Sequence, residues 1–304
     1  MRVVFMGTPD YATIILKELL NSAIEVPLVV TQPDKPVGRK QLLTPPHIKK
    51  WVLENSEDIE IYQPKTLKNA EAKEKIESYN PDFIVVAAYG QILPLDILNI
   101  ATCINLHASL LPKYRGASPI QNSILKADEF TGVTAMLMEK GLDSGDILAF
   151  RYIALKDKLV GELFDELSNE AAKLTLKVLY NFEKIKPIKQ IDADATYCAK
   201  INKDDGKFDF NSNAKQIFIK YKAYTPWPGI SLESGLKIKE LALADAVLEN
   251  AQIGIITKIS KSSITVTCRV GLLEIFKVQA PSKKEIRAVD YVRGKRFEIG
   301  SKLV

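Results

Sequence analysis

Asn105 and His107 stand two residues apart in the run Ile104-Asn105-Leu106-His107-Ala108-Ser109-Leu110-Leu111-Pro112. Side chains alternate faces along an extended strand, so the amide and the imidazole project from the same face. They lie where the apolar run Thr102 to Leu106 gives way to a proline- and glycine-containing segment, Pro112-Lys113-Tyr114-Arg115-Gly116. An imidazole there can take up or release a proton, and an amide beside it can donate to a developing oxyanion. By itself, N-x-H fits a histidine that only satisfies backbone groups at a strand end at least as well.

A third polar element changes the balance. Glu139-Lys140-Gly141-Leu142-Asp143-Ser144-Gly145-Asp146 forms a tight turn after the strand-like run Gly132 to Met138. Such a turn can bring Asp143 and Asp146 to the sheet end that carries Asn105 and His107. An aspartate next to a histidine raises its basicity and fixes its tautomer. Ser109 lacks a G-x-S-x-G setting, so no nucleophile with an adjacent base stands out. The chemistry suggested is direct transfer to an incoming nucleophile, without a covalent enzyme intermediate.

The elements that must position these residues follow from the periodicity. Arg2 to Met6, Val26 to Val30, Glu60 to Tyr62, Asp82 to Ala88, Thr102 to Leu106 and Gly132 to Met138 read as strands. Helix-like segments end at Leu20, span Ala70 to Tyr79, and run from Gly161 to Phe182. The near-continuous apolar run Phe83 to Ala88 is of the kind buried on both faces of a parallel sheet. This rhythm predicts an α/β, doubly wound, mostly parallel sheet, with ligands bound outside the carboxyl ends of its strands. After Lys184 the character changes. Asn213 to Tyr224 reads as a helix, and four short strands between Leu236 and Ala280 suggest a small C-terminal β-barrel of OB-like type. A last helix is expected from Val289 to Gly294. The expected organisation is a catalytic domain over 1–184, a linker over 185–206 and a basic barrel over 207–304.

Composition narrows the function classes. The 304 residues are 46% hydrophobic and 26% charged, which excludes a chain too polar to offset its ordering entropy. The most apolar stretch, Phe83 to Ala101, is broken by Gln91, Pro94, Asp96 and Asn99, so no membrane span is expected. Arg2 to Phe5 reads directly as a strand, so no cleaved leader is expected either, and the chain is placed in the cytoplasm. Three scattered cysteines and two histidines, His47 and His107, argue against both a disulfide framework and a metal site. Gly7-Thr8-Pro9 after the first strand lacks the glycine pattern of a dinucleotide site. From Lys207 onward there are 17 Lys+Arg against 9 Asp+Glu, while the rest of the chain is slightly acidic. That imbalance fits a polyanion partner and a merely solvated surface equally well.

The same residues carry a resemblance. Asn105 to Pro112, its continuation Lys113-Tyr114-Arg115-Gly116-Ala117-Ser118-Pro119-Ile120-Gln121, and Gly141-Leu142-Asp143-Ser144-Gly145-Asp146 resemble the 10-formyltetrahydrofolate-dependent formyltransferases. Phe5-Met6-Gly7-Thr8-Pro9 and Gln32-Pro33-Asp34-Lys35-Pro36-Val37-Gly38-Arg39 extend the likeness, which runs the length of the chain. R-G-A-x-P-I points to the branch of that family that formylates methionyl-tRNA. The resemblance implies Asn105, His107 and Asp143 as the catalytic trio. It also implies Ser109, Leu110, Leu111 and Pro112 as a folate-binding loop, and initiator Met-tRNA as acceptor. Asn105 and protonated His107 would stabilise the oxyanion formed when the α-amino group attacks the formyl carbon, with Asp143 orienting His107. 10-Formyltetrahydrofolate would be the formyl-donor co-substrate, no metal would be needed, and the expected state is a monomer. The alternative is another enzyme using the same donor: a sugar-nucleotide or glycinamide ribotide formyltransferase, or a formyl hydrolase.

Thr31 to Pro46 has too many prolines for regular structure and reads as a long loop. By resemblance it reaches the acceptor end of the tRNA, with Arg39 and Lys40 as its basic contacts. Tyr89, Gly90 and Gln91 either wall the pterin pocket or simply end the buried strand. Lys283, Lys284 and Arg287 are the C-terminal candidates for tRNA phosphates. His47 reads as an incidental surface or helix-start residue, Trp227 as a packing anchor of the barrel, and Tyr114 fits ligand or core.

Overall fold

The computed structural model of the chain describes residues 1–38, 40–245 and 252–303. The chain divides into two compact units. One comprises Met1–Ile120, Glu129–Lys156 and Glu162–Ala199; the other comprises Gln121–Asp128, Asp157–Gly161 and the chain from Lys200 onward.

The first unit opens with β1 (Arg2–Gly7), α1 (Asp10–Leu20), β2 (Glu25–Val30), β3 (Lys35–Val37), β4 (Leu42–Thr44), α2 (His47–Asn55) and β5 (Glu60–Tyr62). It continues with α3 (Ala70–Glu77), β6 (Phe83–Ala87), α4 (Leu95–Leu98), β7 (Thr102–His107) and β8 (Arg115–Gly116). After α5 (Pro119–Leu125), which from Gln121 belongs to the other unit, come β9 (Phe130–Leu137), β10 (Ile147–Ala154), α6 (Val160–Asn181) and β11 (Tyr197–Cys198). Seven strands form the main sheet in the order β10-β9-β7-β6-β1-β2-β5. β1, β2, β5, β6 and β7 are mutually parallel, β9 runs antiparallel to β7, and β10 antiparallel to β9. β10 has no counterpart in the sequence reading, because its half-buried, weakly alternating pattern matches neither a core strand nor a clean two-faced one.

Burial explains the parallel core. Val3, Val4, Phe5, Met6, Ile84 and Val85 are fully enclosed, as strands covered on both faces require. α1 lays Tyr11, Ala12, Ile15, Leu16 and Leu19 against the sheet, each large side chain contributing about 1.5–3 kcal/mol of burial. Asn69 caps α3 by accepting from the Ala72 amide at 3.3 Å. The three cysteines are buried, and burial pushes the Cys103 and Cys268 thiols up to about 12, so neither is a thiolate at neutral pH.

The segment from Thr31 to Pro46 is not irregular throughout. β3 and β4 pair antiparallel, Lys35 with Thr44, Pro36 with Leu43 and Val37 with Leu42. A two-stranded ribbon has two free edges, so the missing N–H of Pro36 can face solvent without breaking the ladder. All six strand residues are exposed, including Val37, Leu42 and Leu43. A polar clamp closes the base of this ribbon. Lys49 Nζ donates to Asp34 Oδ1 at 2.8 Å and to Gln63 Oε1 at 2.7 Å, and Gln63 Nε2 donates to Asp34 Oδ1 at 2.7 Å. These donors, Gln63 first and Lys49 second, hold the Asp34 carboxyl below its ordinary value. A depressed carboxylate stabilises above its unfolded pKa and loses that contribution as pH falls through its folded one. Protection factors of the 35–38 and 40–44 amides, taken against the intrinsic pH dependence of exchange, are therefore expected to stay constant from pH 7 to about 5 and to fall below about pH 4. Asp34→Asn should remove that pH dependence.

The second unit holds α7 (Ala214–Tyr224), β12 (Ile230–Ser231), β13 (Lys237–Ala244), β14 (Ile256–Ile259), β15 (Ile264–Thr267), β16 (Leu272–Gln279), β17 (Ile286–Arg287) and α8 (Ala288–Lys295). The strands make one antiparallel sheet in the order β12-β13-β16-β15-β14, with β17 also paired to β16. Asn213 and Gln216 form a capping box that starts α7. Ile238, Ile256, Ile264, Leu273, Ile275 and Val278 build its core. Trp227 does not join it, its indole being 57% exposed. Among the described residues no helix is long and apolar enough to cross a membrane.

Candidate active site

The strand order reverses around β1, which has β2 on one side and β6 on the other. In sheets of this kind the crevice outside the carboxyl ends of the strands at the reversal is where ligands bind. Thr8 Oγ1, just past β1, donates to the Tyr89 carbonyl, just past β6, at 2.9 Å. β7 lies beside β6 and ends at His107.

Asn105 and His107, both buried, do share a face of β7, since both reach Asp143. Asn105 Nδ2 donates to Asp143 Oδ1 at a long 3.4 Å, and His107 Nδ1 stands 3.7 Å from Asp143 Oδ2. The Gly116 amide donates to Asp143 Oδ2 at 2.8 Å. Asp143 takes a positive φ of 49°, which aspartate tolerates better than most residues. The turn behind it is packed tightly: a Cβ on Gly145 would meet the Leu137 carbonyl at 1.9 Å. Asp146 contributes its backbone carbonyl, which accepts from the Leu137 amide at 2.9 Å.

The tautomer of His107 follows from its other nitrogen. Nε2 lies 2.9 Å from the Tyr114 carbonyl oxygen. A carbonyl only accepts, so Nε2 carries the hydrogen and the lone pair of the neutral ring sits on Nδ1, towards Asp143. The arrangement can accept a proton at Nδ1, hold the resulting imidazolium against a carboxylate, and offer an amide N–H to an oxyanion. Among the described residues no group of three His, Cys, Asp or Glu could hold a metal.

The loop after β7 is pinned from below. Ser109 is fully buried, and its Oγ donates to the Lys113 carbonyl at 2.6 Å, so its side chain shapes the loop and does not face a ligand. Leu111 is packed with Met136 and Ile147, whereas Leu110 and Pro112 are half-buried. Tyr89 puts its ring in the sheet core with Leu67, Leu93 and Ile97, so only its backbone borders the crevice. Gly90, with φ +88° and open space where a Cβ would lie, and half-buried Gln91 remain at the mouth, next to exposed Ile92. Tyr114 is buried, with φ 61°. His47 starts α2 and is not partnerless, since Nδ1 lies 2.9 Å from Thr13 Oγ1.

The residues between 185 and 199, which read as linker, are part of this structure. β11 pairs with β8, and a Cβ on Gly116 (φ +119°) would meet the Cys198 carbonyl at 2.3 Å. Thr196 Oγ1 accepts from the Tyr114 amide at 2.9 Å, and Cys198 Sγ lies 3.3 Å from the Tyr114 carbonyl. Burial and the charge of Asp143 push the Cys198 thiol up. Arg115, from the R-G-A-x-P-I motif, and Gln190 complete this support; Gln190 was not singled out by sequence, its only signal being a polar residue inside an otherwise aperiodic stretch. Of the basic candidates, Arg39 lies outside the described residues. Lys40, Lys283 and Lys284 are exposed, but Arg287 is held by Asp290 through bonds of 2.7 and 3.0 Å.

Residues 1–179 match the formyl transferase family model, and residues 200–296 match the formyl transferase C-terminal domain. The chain belongs to the formyl transferase family. This formyl transferase is 57% identical over 302 residues to the methionyl-tRNA formyltransferase of a Nitratiruptor species, covering 99% of each chain. It is 50% identical over 303 residues to that of Campylobacter hominis, covering 100% of each. Two solved structures share the fold at 16% identity and a TM-score of 0.66. One is an N-formyltransferase from Helicobacter canadensis in complex with folinic acid and dTDP-3-aminofucose, with 91% of this chain and 99% of that one covered. The other is HypX from Aquifex aeolicus in complex with tetrahydrofolic acid; 96% of this chain is covered, but only 47% of HypX.

Proposed function

We propose that the chain transfers the formyl group of 10-formyltetrahydrofolate to the α-amino group of methionine on initiator tRNA. The observation that carries the chemistry is the convergence of Asn105, His107 and Asp143 at the end of β7, beside the crevice at the β1–β6 reversal. The choice of acceptor rests on the full-length likeness to methionyl-tRNA formyltransferases. The co-substrate supplies an electrophilic formyl carbon, whose oxygen gains charge as the amine adds. Asn105 donates to that oxygen. His107 takes the ammonium proton at Nδ1, Asp143 steadies the imidazolium, and the Tyr114 carbonyl keeps the ring from turning. The same nitrogen then returns the proton to the departing folate amine. The half-buried Leu110 and Pro112 and the open backbone at Gly90 suit a flat heteroaromatic ring. The enzyme acts as a monomer in the cytoplasm, where its charged tRNA is made.

The test is incubation with 10-formyltetrahydrofolate and a panel of acceptors: initiator Met-tRNA, elongator Met-tRNA, glycinamide ribotide, an amino-sugar nucleotide and water. Formylation of initiator Met-tRNA at least about 100-fold faster than of any other acceptor is expected, a discrimination of ~2.7 kcal/mol. Faster transfer to the ribotide, the sugar or water would reassign the substrate.

A further inference from the structure

Gln190 sits in the middle of a relay that ends on the backbone of the Asp143 turn. It is 5% exposed. Its Oε1 accepts from Arg115 Nε at 3.0 Å and from Arg115 Nη2 at 2.9 Å. Its Nε2 donates to the Asp143 carbonyl at 2.9 Å and to the Gly145 carbonyl at 2.8 Å. A primary amide has two donor hydrogens and two acceptor lone pairs, and here all four are used. The amide cannot flip, because a guanidinium only donates and a carbonyl only accepts.

The other end of the relay is equally constrained. Arg115 is 3% exposed, and its Nη2 also donates to Asp192 Oδ1 at 2.8 Å. A buried cation must keep its hydrogen bonds or bear a desolvation cost on the order of several kcal/mol. Arg115 is therefore a fixed post, and Gln190 transmits that fixity to two carbonyls flanking Ser144. Asp143 sits at a φ of 49°, a left-handed state uncommon for side chains other than glycine, and the two tethered carbonyls fix the turn there. With the carbonyl tethered, the Asp143 side chain is left on the side of the Gly116 amide, Asn105 and His107.

We infer that Gln190 is a positioning residue for the reaction, holding the Asp143 turn so that the carboxylate meets His107 and Asn105. The inference rests on the role given above to Asp143. Arg115 is the anchor through which Gln190 acts. Gln190 and Arg115 are both buried, so the effect of the relay falls on the rate of the chemical step and not on binding.

Gln190→Leu keeps the side chain's size and removes all four hydrogen bonds. Its kcat is expected to fall about 10- to 100-fold, as misplacing a reacting group by ~1 Å does, with KM for tRNA and for folate within about threefold. Gln190→Glu still accepts from Arg115 but turns oxygens on the two carbonyls. It is expected to fold and to be as slow as Gln190→Leu, and it decides the matter if the leucine variant does not fold. In an Asp143→Asn background, Gln190→Leu should cost less than about threefold more, because both changes remove one interaction.

Wild-type kcat in Gln190→Leu, full activity in Gln190→Glu, or equal losses in both backgrounds would each overturn the inference. If Asp143→Asn itself keeps full turnover, the site assignment falls as well. If Asp143→Asn is slow and Gln190→Leu is not, only the role of Gln190 falls.

Discussion

His107→Ala is expected to lower turnover about 10²- to 10⁴-fold, the span that a positioned acid–base group supplies. The loss should fall on kcat, with KM for both substrates little changed, because the imidazole works on a proton that moves only as the transition state forms. His107 Nε2 is occupied by the Tyr114 carbonyl, so Nδ1 is the working nitrogen, and its partner is Asp143 at 3.7 Å. Asn105→Ala should cost about 10²–10³ in turnover, as loss of one oxyanion donor does. Asp143→Asn keeps the shape of the side chain and removes its charge, so it should slow the reaction without unfolding the protein. Circular dichroism and thermal melts of each variant separate these losses from misfolding. Unchanged turnover in His107→Ala would sink the proposed chemistry outright.

Affinity for tRNA is expected to fall about 10³-fold or more between roughly 50 and 200 mM salt, if six or more phosphates are contacted. The charge from Lys207 onward, 17 basic against 9 acidic residues, motivates this. Lysine and arginine contacts to phosphate release counterions and carry no base information directly. Lys283→Gln and Lys284→Gln should each weaken many tRNAs alike and reduce the salt slope by about one. Arg287→Gln should do less, since its guanidinium is already held by Asp290 through two bonds. Arg39→Ala and Lys40→Ala, on the segment that carries the β3–β4 ribbon, should instead depress turnover on the correct tRNA more than they weaken binding in general. A salt slope unaffected by the Lys283 and Lys284 changes would move the tRNA surface elsewhere.

Much of the architecture was legible because burial leaves a periodic mark. The run Asp82 to Ala88 reads as a doubly covered strand, and Phe83–Ala87 is one; Asn213 to Tyr224 reads as a helix, and Ala214–Tyr224 is one, with Asn213 as its cap. The ribbon at 35–37 and 42–44 was missed because nothing in it is buried, so it has no apolar period to read. β10 was missed for a related reason, its faces being only half covered. Trp227 was read as a packing anchor, but its indole is exposed; an aromatic residue in a turn carries no periodic mark of which side it faces.

The site divides in the same way. The sequence by itself determined that an amide and an imidazole share one strand face, and that an acidic turn follows a neighbouring strand. Both are consequences of the two-residue repeat of a β-strand. Only the tertiary structure decided which nitrogen of His107 is held by the backbone, because that depends on a carbonyl seven residues away brought back by a turn. It alone decided that Gln190, in a stretch with no periodicity, binds the backbone of the Asp143 turn, and that Thr196 and Cys198 bind the backbone of Tyr114. A hydrogen bond constrains distance in space and leaves no spacing in sequence, so a support made of such bonds becomes visible only when the chain is folded.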